Sequence, residues 1–175
     1  MTKLISVFLF YCLMIIGSCN QTSNPKIKPD EHKVREKLID INKERIAAED
    51  DQIDAYVNRF GYKMQSTETG LRYMVLDPGK GERPQMMSVV KLKYKIELLD
   101  GTYCYSSDSS GVLEIKLGQS EEPTGLQEGL TKLNEGGKAL FIVPSYLAYG
   151  LTGDGNKIVG AQSLIYHVEL IEVKK

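Results

Sequence analysis

The residues able to do covalent or metal chemistry are few and scattered. Two histidines and three cysteines stand in no CxxC or HxxxH spacing, so no metal site and no cofactor is expected. His167 lies on the polar side of an alternating run and reads as a surface residue. Tyrosines remain. Tyr94 falls on the apolar side of the alternating run Val89–Leu99, the side that reads as core. Tyr149 sits in Ser145–Gln162, a glycine-rich stretch of about 18 residues, and a loop that long in a compact domain is usually functional. Cys104 has the character of a small buried hydrophobe more than of a reactive thiol.

These residues need a scaffold, and the chain supplies one. Its 175 residues suggest one domain with appendages. A formal net charge of −1 and a pI near 6.2 give no basic surface for nucleic acid. Pro123–Gly137 reads as a short helix: Thr124 and Gln127 have the spacing of a capping box, Leu126, Leu130 and Leu133 form an apolar stripe, and Gly136 and Gly137 offer a left-handed exit. Strands are expected at Leu71–Leu76, Val89–Leu99, Thr102–Ser106, Leu113–Leu117, Lys138–Pro144 and Ser163–Val173, with Asp100-Gly101 as a hairpin turn. Strict alternation means one buried face and one wet face. The expected fold class is α+β: an antiparallel sheet of about five strands wrapped over one short helix.

The first third differs in kind. Lys3 and the apolar run Leu4–Gly17, 14 residues long, have the form of a signal-peptide core and are short for a membrane span. Ile16-Gly17-Ser18-Cys19 resembles a bacterial lipobox, in which Cys19 becomes lipidated, or else reads as an ordinary secretory cleavage site with an incidental cysteine. Acyl chains contribute ~0.8 kcal/mol per buried CH₂, and two or more anchor stably. The expected organisation is a signal peptide over 1–18, a flexible tether over 19–29, a helix within 30–62 and a folded domain over 67–175. The helix, Asp30–Phe60, lacks Gly and Pro. It carries one stripe of Val34, Leu38 and Ile41, and a second, offset one of Ile46, Ile53, Tyr56, Val57 and Phe60. It reads as a solvated spacer whose last turns pack on the domain, or as a surface for a partner. With Cys12 in the signal and Cys19 acylated, Cys104 has no disulfide partner.

From Leu71 onward the strings LLDG, KLG, GLQEGL, EGGKALFIVPSYLAYG and HVEL, in that order, resemble the FK506-binding-protein family of peptidyl-prolyl cis–trans isomerases. The resemblance implies that fold, and an activity that rotates X-Pro amides in proline-containing segments. It places Tyr94 in a pocket wall and makes Tyr149 the rim tyrosine that hydrogen-bonds a ligand carbonyl. It makes Ile158 an apolar residue of the flap. Tyr166 and Leu113 stand where the family has phenylalanine, and Leu126 where many members have the floor tryptophan. Cys104-Tyr105 replaces Phe-Asp, and Glu122-Pro123 replaces the pair whose backbone anchors the peptide. The signal, the cysteine and the helix followed by TGLRYMV also resemble gliding-motility-associated isomerase-like lipoproteins of Bacteroidetes. That implies a lipid-anchored protein of the bacterial envelope. The absence of an acidic run after Cys19 points to the periplasmic face, with envelope proteins as clients.

Overall fold

The computed structural model describes residues 30–174. The expected signal peptide, Cys19 and the expected tether lie outside them. By internal contacts the chain forms two units, residues 1–39 and 40–175. Of the first, residues 30–39 are described; they are exposed and, from Glu31, helical.

Helix α1 runs Glu31–Phe60. Within the second unit its later turns bury Ile53 and, unexpectedly for a carboxylate, Glu49. The strands are β1 (Gln65–Ser66), β2 (Arg72–Asp77), β3 (Val89–Leu98), β4 (Tyr103–Ser106), β5 (Leu113–Lys116), β6 (Lys138–Val143) and β7 (Leu164–Lys174). They form one seven-stranded antiparallel sheet in the order β1-β2-β6-β7-β3-β4, with β5 also on β3. Seven strands replace the expected five or so. One is only two residues long. Two others share an edge: β5 pairs with Val89–Leu92 and β4 with Lys95–Glu97 of the same strand. In the gap, the Ser107 hydroxyl accepts from the Tyr94 N–H at 3.2 Å and stands in for a ladder partner. Ser107 opens the four-residue helix α2 (Ser107–Ser110), capped by the Ser106 side chain.

The sheet's inner face wraps helix α3, Thr124–Leu130. Leu126, Leu130 and Leu133 are all fully buried, although Leu133 lies past the helix end. Gly125 and Gly129 let the helix lie against β6, since a Cβ at Gly129 would sit 2.7 Å from the Phe141 ring. The capping box does not form. Pro123 is the N-cap residue and the Thr124 hydroxyl donates to the Leu147 carbonyl. The Gln127 amide faces the preceding loop instead, accepting from Gly118 N–H and donating to the Ser120 and Glu122 carbonyls.

The outer face is wet only in part. Ile53 of α1 packs with Leu140, Ile142 and Ile165, so β6 is covered on both sides. That is why Ala139–Val143 is a continuous apolar run rather than an alternating one. Arg72 fixes the helix laterally, with Nη2 2.9 Å from Asp50 and 3.4 Å from Asp54.

Candidate active site

A hollow of about 170 Å³ opens between β3, β4 and the long loop that follows β6. Its lining is Tyr94, Ile96, Tyr105, Leu113, Glu122, Tyr149, Asp154 and Tyr166. A dry cavity of ~150 Å³ holds a benzene ring, so this one has room for a pyrrolidine ring. Period-two geometry puts Tyr94 and Ile96 on the inner face of β3, beside Tyr166 of β7, which pairs with Ile96. Tyr105 pairs with Ile96 from the other side.

The loop closes the hollow through named contacts. Its base is pinned by α1. Glu49 accepts from the Ser145 N–H at 2.6 Å, the Ser145 hydroxyl at 2.8 Å and the Ser163 hydroxyl at 2.6 Å. Ser145 opens the loop and Ser163 follows its end. Inside it, Gly150 N–H donates to Ser145 O, and Ala161 N–H to Gly150 O, both at 2.8 Å. Gly153 has φ +75°, and a Cβ there would collide with the Ile158 carbonyl. Asp154 Oδ1 accepts from the Asn156 and Ile158 amides at 2.8 and 2.9 Å. Its Oδ2 accepts from the Tyr105 hydroxyl at 2.5 Å. Lys157 completes the clasp: Nζ donates to the Cys104 carbonyl at 2.8 Å and lies over the Tyr103 and Tyr105 rings.

Electrostatics follow from these contacts. Burial opposes the Asp154 charge, but the Tyr105 hydroxyl and the two amides outweigh it and hold its pKa below the usual range. The same hydrogen bond keeps Tyr105 protonated and pushes its pKa up. Burial, with a smaller push from the Glu122 charge, raises Tyr149 to about 12, so it is a donor at any physiological pH. Burial also pushes Tyr166, 1% exposed, well above the ordinary tyrosine value. The Tyr149 and Tyr166 hydroxyls influence each other's ionisation without meeting hydrogen-bond geometry, and the Tyr166 hydroxyl has no partner. Burial alone raises Glu122.

Of the residues singled out in the sequence, Tyr94, Tyr105, Leu113, Glu122, Tyr149 and Tyr166 meet in this hollow. Cys104, Leu126 and Ile158 are buried in the core behind it and are not part of its lining. Pro123 is buried at the start of α3. The backbone ahead of α3 is already engaged: the Glu122 carbonyl accepts from Gln127 Nε2 at 2.7 Å, and the Pro123 carbonyl from Gln127 N–H. Glu122 lines the hollow, and its charge is near enough to Tyr149 and Tyr166 to raise the pKa of both. Tyr105 lines the hollow with its hydroxyl engaged by Asp154. Ile96 and Asp154 were not foreseen. Asp154 carried a local signal, an aspartate between glycines able to bond the amide two residues on. Its partner Tyr105 is 49 residues away.

A family model described as FKBP-type peptidyl-prolyl cis-trans isomerase matches residues 80–171, more than half of the chain. The chain belongs to this family. It is 31% identical over 139 residues to the probable FKBP-type isomerase FkpA of Neisseria meningitidis, covering 78% of this chain and 51% of that one. It is 36% identical over 112 residues to FkpA of Escherichia coli, covering 63% and 40%. It thus spans about half or less of these curated relatives. The crystal structure of FkpA from Escherichia coli superposes with a TM-score of 0.64 at 28% identity, over 99% of this chain and 81% of that one. The FKBP fold read from the sequence is therefore the fold of the chain.

Proposed function

We propose that the protein is a peptidyl-prolyl cis–trans isomerase of specialised substrate range. The observation that supports this best is the open tyrosine-walled hollow with Tyr149 in its lining. Rotation about an X-Pro amide costs ~18–20 kcal/mol because it breaks amide resonance, and unaided exchange takes tens to hundreds of seconds. No nucleophile is needed. The planar amide is the more charge-separated form, so a water-poor hollow disfavours it relative to the twisted one. A proline ring seated against Tyr94, Tyr166 and Leu113 fixes one side of the bond. The Tyr149 hydroxyl holds the carbonyl on the other.

The sequence before residue 30 supports a place for this activity. A lipidated Cys19 would hold the domain at a membrane of the bacterial envelope, facing the periplasm, with envelope proteins as clients. A second reading, binding or chaperoning without catalysis, is favoured by one observation: Gln127 already occupies the backbone ahead of α3. Exchange measured by NMR in a proline-containing peptide separates the two. Isomerase activity predicts faster exchange, and Tyr149→Phe slower exchange than wild type. Binding with no acceleration favours the second reading. The exposed stripe Val34, Leu38 and Ile41 supports a partner for the helix as part of an envelope assembly. Leu38→Asp would disrupt that assembly while leaving the exchange rate intact.

A further inference from the structure

Glu122 is the acidic side chain of the hollow whose charge nothing answers. Asp154, the other carboxylate in the lining, is satisfied by Tyr105 and two amides. Among the described residues no hydrogen bond or ion pair reaches the Glu122 carboxylate, and no lysine or arginine lines the hollow. Tyr149 and Tyr166 are near enough that the Glu122 charge raises the pKa of both. The Tyr166 hydroxyl is the second observation. It is buried and has no hydrogen-bond partner, and the residue that carries it lines the same hollow. The free protein thus holds an unanswered acceptor and an unanswered donor in one cavity. Such groups cost free energy, and a ligand carrying both complements recovers it.

The four tyrosine rings of the lining add to this, because ring faces attract cations. Opposite charges also attract more strongly in a partly buried site than in water. We propose that the hollow selects proline segments with a positively charged side chain next to the proline, Glu122 being the specificity-determining residue and Tyr166 donating to a backbone carbonyl of the same segment. This rests on the hollow being the peptide site proposed above.

The test uses the full chain and the peptide series Ala-X-Pro-Phe, with X as lysine, norleucine or glutamate, and a second series with the charge after proline. Affinity is read from NMR titration and exchange from the same spectra. The expected result is at least tenfold tighter binding of a lysine peptide than of its glutamate counterpart. Glu122→Gln should bring that ratio close to one, while Glu114→Gln, on the exposed side of β5, should leave it in place. Tyr166→Phe should weaken all peptides of a series by a similar factor. Equal affinity across both series, or a preference that survives Glu122→Gln, would overturn the proposal. Selective binding without faster exchange would support it and remove the isomerase reading. No binding of any peptide would remove both.

Discussion

Replacing Glu49 tests whether a helix outside the sheet sets the shape of the site. Its carboxylate is 8% exposed and receives three hydrogen bonds, two from Ser145 and one from Ser163. Arg45 Nη1 lies 3.9 Å from the same carboxylate and donates to the Ser145 hydroxyl at 3.2 Å. Hydrogen bonds to a charged group contribute about 1.5–3 kcal/mol each, and a buried donor left alone costs about 1–3 kcal/mol. The three bonds share one acceptor group, so their losses do not add. Glu49→Ala strands the Ser145 N–H and two hydroxyls, and a loss of about 3 kcal/mol is expected. For a chain of this size that is a fall of roughly 6–12 °C in Tm. Glu49→Gln is the informative contrast. Its oxygen can accept from Ser145 N–H and Ser163, and its amide can donate to the Ser145 hydroxyl. Charge assistance and the acceptor of the Ser145 hydroxyl proton are lost while the other two bonds survive, so about 1–2 kcal/mol is expected, less than for alanine. Hydrogen exchange localises the effect: with Glu49→Ala the Gly150 and Ala161 amides, which close the loop base, should lose protection well before those of β3 and β7. Equal, small losses for both substitutions, or uniform loss of protection across the sheet, would refute the claim that α1 holds the loop.

Four further outcomes follow from the same contacts. Tyr166→Phe removes a buried hydroxyl with no partner and should raise stability by about 1–2 kcal/mol while weakening peptide binding; a loss of stability on thermal unfolding would count against an unpaired hydroxyl. The Asp154 pKa is depressed on folding, so the stability it contributes is present above the ordinary aspartate range and lost as pH falls through the lower folded value. The Lys157 and Ile158 amide resonances should therefore stay native through the ordinary range and shift only below it, and in Asp154→Asn they should already be displaced at neutral pH. Tyr105→Asp would set two carboxylates face to face across the mouth, so a looser loop and slower exchange are expected, and a faster rate would refute the clasp. Burial pushes the Cys104 thiol pKa up, so in a Cys12→Ser, Cys19→Ser background the native protein should resist alkylation at neutral pH and react fully in denaturant.

What the sequence reveals is periodicity. The alternation in Val89–Leu98 puts Leu92, Tyr94 and Ile96 on one face, and the structure keeps that register along β7. The apolar run at β6 reads as a central strand and lies between β2 and β7. The capping box fails because Gln127 has a better use: three loop groups need partners, and its amide serves all of them. Local spacing could not foresee that competition. The site divides the same way. Each tyrosine's face is legible from its own strand or loop. The bond between Tyr105 and Asp154 depends on how far the loop folds back, which glycine positions permit but do not specify.

Glu49 carries its signal in its position on the helix. It falls among Ile46, Ile53 and Tyr56, on the stripe whose burial the spacing already implies. A charge on a buried stripe must meet several donors or it would cost more than the packing gains. That demand constrains what the helix covers: donors arranged around one point, with backbone among them. The serines on either side of a long loop meet it, because the loop joins the neighbouring strands β6 and β7 and its two ends come together anyway. The carboxylate that looks out of place on the helix is thus what fixes both ends of the segment carrying Tyr149 and Asp154.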